Sequence, residues 1–198
     1  MRVPAADEDW QWIERFLGGD REAFDLIFRK YKGLVLNLAF RFLGQREAAE
    51  DVAQDVFIKI YEKKVKVSRG AKFSTWLYRV TVNAALDAAR KRKFLKFSLD
   101  ERKETQGDSK ETFAEALADP HPGPTPGEAL ADTEMKTILR REIDRLPEKL
   151  KAPILLYQFE NTPYEEIAAI LGISTKAVER RLYHAKSILR EKLSKLIE

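Results

Sequence analysis

The chain has 198 residues, of which 44% are hydrophobic and 34% charged, with a formal net charge of +4; the length suits two small helical domains or one ordinary domain. It contains no cysteine, which excludes disulfide scaffolds and thiolate metal sites. No apolar run approaches the ~20 residues of a membrane span, and the first residues, with Asp7, Glu8 and Asp9, lack the basic-then-apolar layout of a signal peptide, so no membrane insertion and a cytoplasmic location are expected.

The charge is unevenly placed. Residues 1–97 carry twenty basic and thirteen acidic side chains, residues 98–134 three and ten, and residues 135–198 thirteen and nine. Two basic blocks flank an acidic strip, a layout that fits either a polyanionic partner or solvated surface charge.

In chain order, a short helix is expected from about Asp9 to Leu17, ended by Gly18-Gly19. Asp20 is a capping residue for the next, in which Phe24, Ile27, Phe28, Tyr31, Val35, Leu38 and Phe42 recur at helical spacing until Gly44. A third helix covers about Glu47–Lys63, with Val52, Val56, Phe57 and Ile60 on its apolar side. A basic loop, Lys64–Lys72, follows it, and a fourth helix runs from near Ser74 to about Lys93. Residues 98–132 are acidic and poor in apolar side chains, and four prolines between Pro120 and Pro126 forbid continuous helix there. Helices resume near Glu134. The expected fold is therefore all-α: a helical domain over 1–97, a flexible acidic, proline-rich linker over 98–133, and a second helical domain over 134–198.

The second domain carries a helix-turn-helix pattern. Thr162-Pro163-Tyr164-Glu165 is a helix start, with Thr162 as cap, Pro163 suited to the first helical position and Glu165 completing a capping box. Ile167, Ala168 and Leu171 point inward, Gly172 breaks the helix, Ser174 caps the next, and Val178, Leu182, Ala185 and Leu189 form one stripe. The small Ala168, the turn at Gly172 and the sealing Val178 stand at the spacing of two crossed helices, against the plain alternative of an ordinary helical hairpin. The second helix turns Thr175, Lys176, Glu179, Arg180, Tyr183 and Ser187 outward, a face suited to a major groove.

In the first domain, Phe73-Ser74-Thr75-Trp76-Leu77-Tyr78-Arg79-Val80 continues through Asn83 and Asp87 to Arg90, Lys91, Arg92 and Lys93. Rings beside cations suit single-stranded DNA, because bases stack on rings while the backbone seeks positive charge. The competing reading, strongest for Trp76, is that these rings are simply core.

These segments, taken in order, resemble the extracytoplasmic-function (ECF) group of bacterial sigma factors. Ala23-Phe24 through Tyr31 resembles that family's opening helix, Ala49 through Phe57 its polymerase-binding helix, Phe73 through Arg79 its promoter-opening segment, and Leu146-Pro147 through Ala168 the approach to its helix-turn-helix. The resemblance covers about residues 10–97 and 134–195. The linker is too short for the extra middle domain of larger sigma factors.

The resemblance implies a non-enzymatic subunit that directs core RNA polymerase to promoters and begins strand opening, with promoter DNA as partner both as duplex and as melted non-template strand. Asp51, Gln54 and Asp55, which share one helix face, take the role of docking on a basic coiled coil of the polymerase. Lys66, Arg69 and Lys72 belong to the loop that holds a flipped base of the −10 element. Phe73, Trp76 and Asn83 lie near the strand being separated, and Arg90, Arg92 and Lys93 hold upstream phosphates. Thr175, Lys176, Glu179, Arg180, Tyr183 and His184 face the −35 element. Glu179 is acidic on a reading helix, and His184 stands where the family often has arginine; carboxylate accepts from cytosine but repels phosphate. The resemblance also implies an anti-sigma factor as partner. The acidic linker is either a floppy tether or a strip that mimics nucleic acid in the polymerase cleft.

No cofactor, metal site or autonomous catalysis is expected: the two histidines are His121 in the linker and His184 on the reading helix, and Gly18-Gly19-Asp20 makes no phosphate loop. The nearest rival reading is a helix-turn-helix regulator that binds duplex DNA without polymerase. A third is a pure protein-interaction module.

Overall fold

A computed structural model describes residues 8–62, 72–100 and 137–197, the side chains of 93, 95–100 and 195–197 excepted. All regular structure among these residues is helical. The elements are α1 (Glu8–Leu17), α2 (Arg21–Leu43), α3 (Arg46–Tyr61), α4 (Phe73–Asp100), α5 (137–144), α6 (Glu148–Glu160), α7 (Tyr164–Leu171) and α8 (Thr175–Ile197). They fall into two compact units, whose described residues are 8–62, 72–100 and 165–173 in the first, and 137–164 and 174–197 in the second.

In the first unit, local chemistry sets both ends of α2. Asp20 is extended, and its carboxylate accepts the backbone N–H groups of Glu22 at 3.0 Å and Ala23 at 3.4 Å, satisfying donors that the first turn of α2 leaves open. Arg15 closes on the same carboxylate at 2.7 Å. That guanidinium, joined by the two backbone donors, holds Asp20 below the usual carboxylate range. Gly44 ends α2 in the left-handed region (φ 69°), with its N–H bonded to the Phe40 carbonyl at 2.8 Å.

Along α2, Ala23, Ile27, Tyr31, Val35, Leu38, Ala39 and Phe42 are buried. Phe28, expected on that stripe, is instead 40% exposed, and Phe24 is half-buried. Phe28 follows Ile27 and so points about 100° further round the helix, off the buried face. On α3, Ala49, Val52, Val56, Phe57 and Ile60 face inward. α4 buries Phe73, Thr75, Leu77, Thr81, Val82 and Ala85. Fully burying side chains such as Ile27, Leu38, Phe73 and Leu77 contributes ~1.5–3 kcal/mol each, and this packing, more than helix propensity, holds the helices of the unit together. α4 outruns its expected end near Lys93, because residues 94–100 contain neither glycine nor proline to stop it. The change of charge after residue 97 does not coincide with a change of backbone. Residues 63–71 and 101–136, which hold most of the basic loop and the linker, lie outside the described residues.

In the second unit, α6 presents an unbroken run of buried residues from Ala152 to Leu156 and packs on α8. The helix runs through Pro153, which is itself buried; the ring supplies no N–H for the carbonyl of Lys149. Asn161 closes α6 in the left-handed region at φ 48°, a conformation asparagine tolerates better than most. Asp144 is held by Lys151 at 2.6 Å and Arg140 at 3.2 Å.

Candidate nucleic-acid and polymerase interfaces

The three polar residues expected to dock on polymerase, Asp51, Gln54 and Asp55, all lie exposed on α3 while Val52 and Val56 are buried behind them. Gln54 also lines a groove of about 690 Å³ that the sequence reading missed. Phe24, Phe28 and Leu36 from α2 line it together with Phe57, Ile58 and Tyr61 from α3, and Lys32, Glu50 and Gln54 add polar groups. Phe28, Ile58 and Tyr61 are 40%, 44% and 49% exposed, an unusual concentration of bare apolar surface on one small unit. The aromatic walls are mutually braced. Phe28 meets Phe57 edge-on at 4.9 Å, Phe24 meets Tyr61 edge-on at 5.2 Å, and Phe16 backs Phe24 at 5.2 Å. The signal was present in the sequence as two apolar residues too many on α2 for one stripe.

At the head of α4, Phe73 is not a surface ring. It is fully buried, as the reading of these rings as core has it. Trp10 and Tyr31 touch it edge-on at 5.2 and 5.3 Å, and Trp76 stacks on it at 5.5 Å with 27° between planes. Trp76 is half-exposed, so it is at once part of the aromatic cluster and open to solvent; neither of the two sequence readings excluded the other. Lys72 and Asn83 are exposed. Lys66 and Arg69 lie outside the described residues, as does the side chain of Lys93.

The far part of α4 carries exposed Arg90 and Lys91 and half-exposed Arg92. Arg90 pairs with Asp87 one turn away at 3.1 Å, and Arg92 donates to the side-chain carbonyl of Gln45. Phe94, 77% exposed beside these cations, was not singled out from the sequence.

At the other end of the chain, the Ala168–Gly172–Val178 spacing has the local geometry expected of it. Ala168 and Val178 are buried, Gly172 is left-handed at φ 65°, and the Ile173 N–H returns to the Ala168 carbonyl at 3.1 Å. Ile170 is buried where Leu171 was expected, with Leu171 only half-buried. Ser174 caps α8, its hydroxyl accepting the Ala177 N–H at 3.2 Å. Val178, Leu182, Ala185 and Leu189 form the buried stripe. Thr175, Lys176, Glu179, Arg180, Tyr183, His184 and Ser187 are all exposed, as are Lys186 and Arg190, which the sequence reading left out. Tyr183 stands 77% exposed in the middle of that face. Glu179 is close enough to Tyr164 for its charge to help raise that phenol's pKa, after burial and alongside Tyr157.

The chain is similar to known proteins along most of its length. Residues 27–94 match Sigma-70 region 2, and residues 136–189 match Sigma-70, region 4. The chain is 31% identical over 195 residues to the RNA polymerase sigma-H factor of Pseudomonas aeruginosa, covering 96% of each protein. It is 32% identical over 184 residues to the ECF RNA polymerase sigma factor SigW of Bacillus subtilis, covering 93% of this chain and 96% of that one. Among solved structures, CnrH in complex with the cytosolic domain of CnrY superposes with a TM-score of 0.61 at 21% identity, covering 96% of this chain and 99% of the other. The sigma factor RpoE of Bartonella quintana, in complex with the anti-sigma factor NepR, does so with 0.60 at 20% identity, covering 86% and 96%. No helix among the described residues is long and apolar enough to cross a membrane. With both sigma-70 regions in order and relatives this similar along nearly their whole length, the chain belongs to the extracytoplasmic-function group of bacterial RNA polymerase sigma factors.

Proposed function

We propose that this chain directs bacterial RNA polymerase to specific promoters, and that its two ends divide the work: residues up to about 97 bind core enzyme and open the −10 element, and residues from about 134 anchor the −35 duplex. The observation that carries this division is Trp76, a half-exposed ring seated on the buried Phe73, beside exposed Lys72 and on the helix that also bears Arg90 and Arg92. An unpaired base can stack on the indole, and the cations supply contacts for the phosphates on either side. Unstacking costs a few kcal/mol per base, and such contacts offset it.

Asp51, Gln54 and Asp55 present their polar groups to a basic surface of the polymerase, and the apolar groove beginning at Gln54 extends that contact. Thr175, Lys176, Arg180, Tyr183 and His184 face the duplex, with Glu179 selecting a base that offers an amino group. An anti-sigma protein is the second expected partner, as NepR is for the Bartonella quintana factor. The work is done in the cytoplasm, without a cofactor. Run-off transcription with purified core polymerase on a promoter library is the test: the chain should start transcripts at sites that core alone ignores. A helix-turn-helix regulator would instead footprint duplex DNA without polymerase.

A further inference from the structure

Asp9 is a buried carboxylate on the short first helix, 5% exposed, a burial that only Glu142 shares among the acids of the described residues. Its two oxygens are separately engaged. The Lys30 ammonium donates to one at 2.5 Å, and the Tyr31 hydroxyl donates to the other at 2.6 Å, both from α2. A carboxylate taken out of water must be so engaged, and the geometry it then imposes is strict. The next residue, Trp10, lays its ring edge on Phe73 at 5.2 Å, and Tyr31 does the same from α2 at 5.3 Å. Phe73 in turn is the surface on which Trp76 stacks. A continuous run of contacts therefore leads from Asp9 through Tyr31 and Phe73 to the half-exposed indole at the head of α4.

We propose that Asp9 is a positioning residue for promoter opening: by fixing the Tyr31 hydroxyl it sets the seat of Phe73, and through Phe73 the place at which Trp76 is offered to an unpaired base. This rests on the reading of Trp76 as a strand-capturing ring. The first helix is then a brace for the opening helix rather than an additional layer of core. Nothing in the arrangement needs Asp9 to touch DNA.

Two measurements on the full chain separate this from a general loss of stability. The first needs no polymerase. Amide hydrogen exchange in the free protein is followed for peptides covering residues 76–84 and, as reference, 49–60. Tyr31→Phe keeps the ring and removes only the hydroxyl, and Asp9→Asn keeps the shape and removes the charge. Each should speed exchange in the α4 peptide at least fivefold while leaving the α3 peptide within twofold. Equal exchange in both peptides, or equal acceleration of both, would overturn the brace.

The second is a double-mutant cycle on open-complex formation, read by permanganate reactivity of promoter thymines at saturating holoenzyme. Asp9→Asn should slow opening about tenfold in the parent and change it less than twofold when Trp76→Ala is already present, because both act through one ring. An undiminished effect in the Trp76→Ala background would show that Asp9 does not work through Trp76. A parent holoenzyme that opens no promoter would count against the sigma reading itself, and the exchange experiment would still decide the brace.

Discussion

Lys186 on α8 lies over the ring of Tyr157 on α6, its ammonium 4.4 Å from the ring centroid. Tyr157 in turn meets Tyr164 edge-on at 5.5 Å. A cation–ring contact thus ties α8 to α6 within one unit, and the Tyr164 ring is braced against the same tyrosine. The Tyr164 phenol has its pKa raised above the ordinary 10.0, first by burial and then by Tyr157 and the Glu179 charge. A raised folded-state value means that the unfolded chain loses this proton first, so the contribution to stability is complete below pH 10 and is lost as pH rises beyond it. Urea unfolding at pH 8, 9, 10 and 10.8 should show a midpoint that declines in the last interval. Tyr164→Phe should flatten that decline; an identical slope would show that Tyr164 is not its source.

The proposed docking face admits a test in two chemistries. Asp55→Arg reverses an exposed charge, and Ile58→Glu places a carboxylate on the groove wall. Since both residues are exposed, each change should cost the folded chain no more than ~0.5 kcal/mol. Each should weaken binding to core polymerase at least tenfold in a fluorescence titration. Only the Asp55→Arg effect should shrink at high salt, because only it is a matter of charge against charge.

Strand opening and polymerase binding should come apart at Lys72, which is exposed immediately before the aromatic cluster of α4. Lys72→Glu should leave core affinity within twofold and reduce permanganate reactivity of −10 thymines several-fold. The added change Arg69→Glu should deepen the defect. Equal losses of binding and opening would place Lys72 at the polymerase instead.

Two glycines make opposite predictions. Gly172 is at φ 65°, and a side chain there would meet nothing within 4 Å, so Gly172→Ala is opposed by backbone strain alone, at about 1 kcal/mol. Gly33 lies within α2, also with nothing within 4 Å of an added carbon, so Gly33→Ala should gain about 0.5–1 kcal/mol through helix propensity. Thermal unfolding monitored by circular dichroism should move in opposite directions for the two variants.

Much of the fold was legible because its punctuation is chemical. Asp20, Gly44, Gly172 and Ser174 each sit where one residue type satisfies a loose backbone group or accepts a left-handed turn, and all four keep that role in the structure. The interfaces were legible only in part. Spacing marks Asp51, Gln54 and Asp55 as neighbours on a helix, but it does not tell a ring that faces inward from one at the edge of a stripe. Phe73, read either as a ring near the DNA or as core, is fully buried, while Phe28, expected in the core, is 40% exposed. Sequence spacing also carries no sign of the Asp9–Tyr31 bond, whose partners are 22 residues apart and meet only because α1 folds back on α2.

The length of α4 has a consequence of its own. Because one uninterrupted helix bears both Trp76 and Arg92, sixteen positions apart, the distance between them is a constant of the molecule, near 24 Å at about 1.5 Å per residue. Along a DNA strand that is roughly seven nucleotides. On the roles proposed for Trp76 and Arg92, the protein carries a fixed measure between the point where the strands part and the point where the intact helix is gripped. A promoter whose opened segment begins one step too early or too late would then be misaligned with that measure, however good its bases.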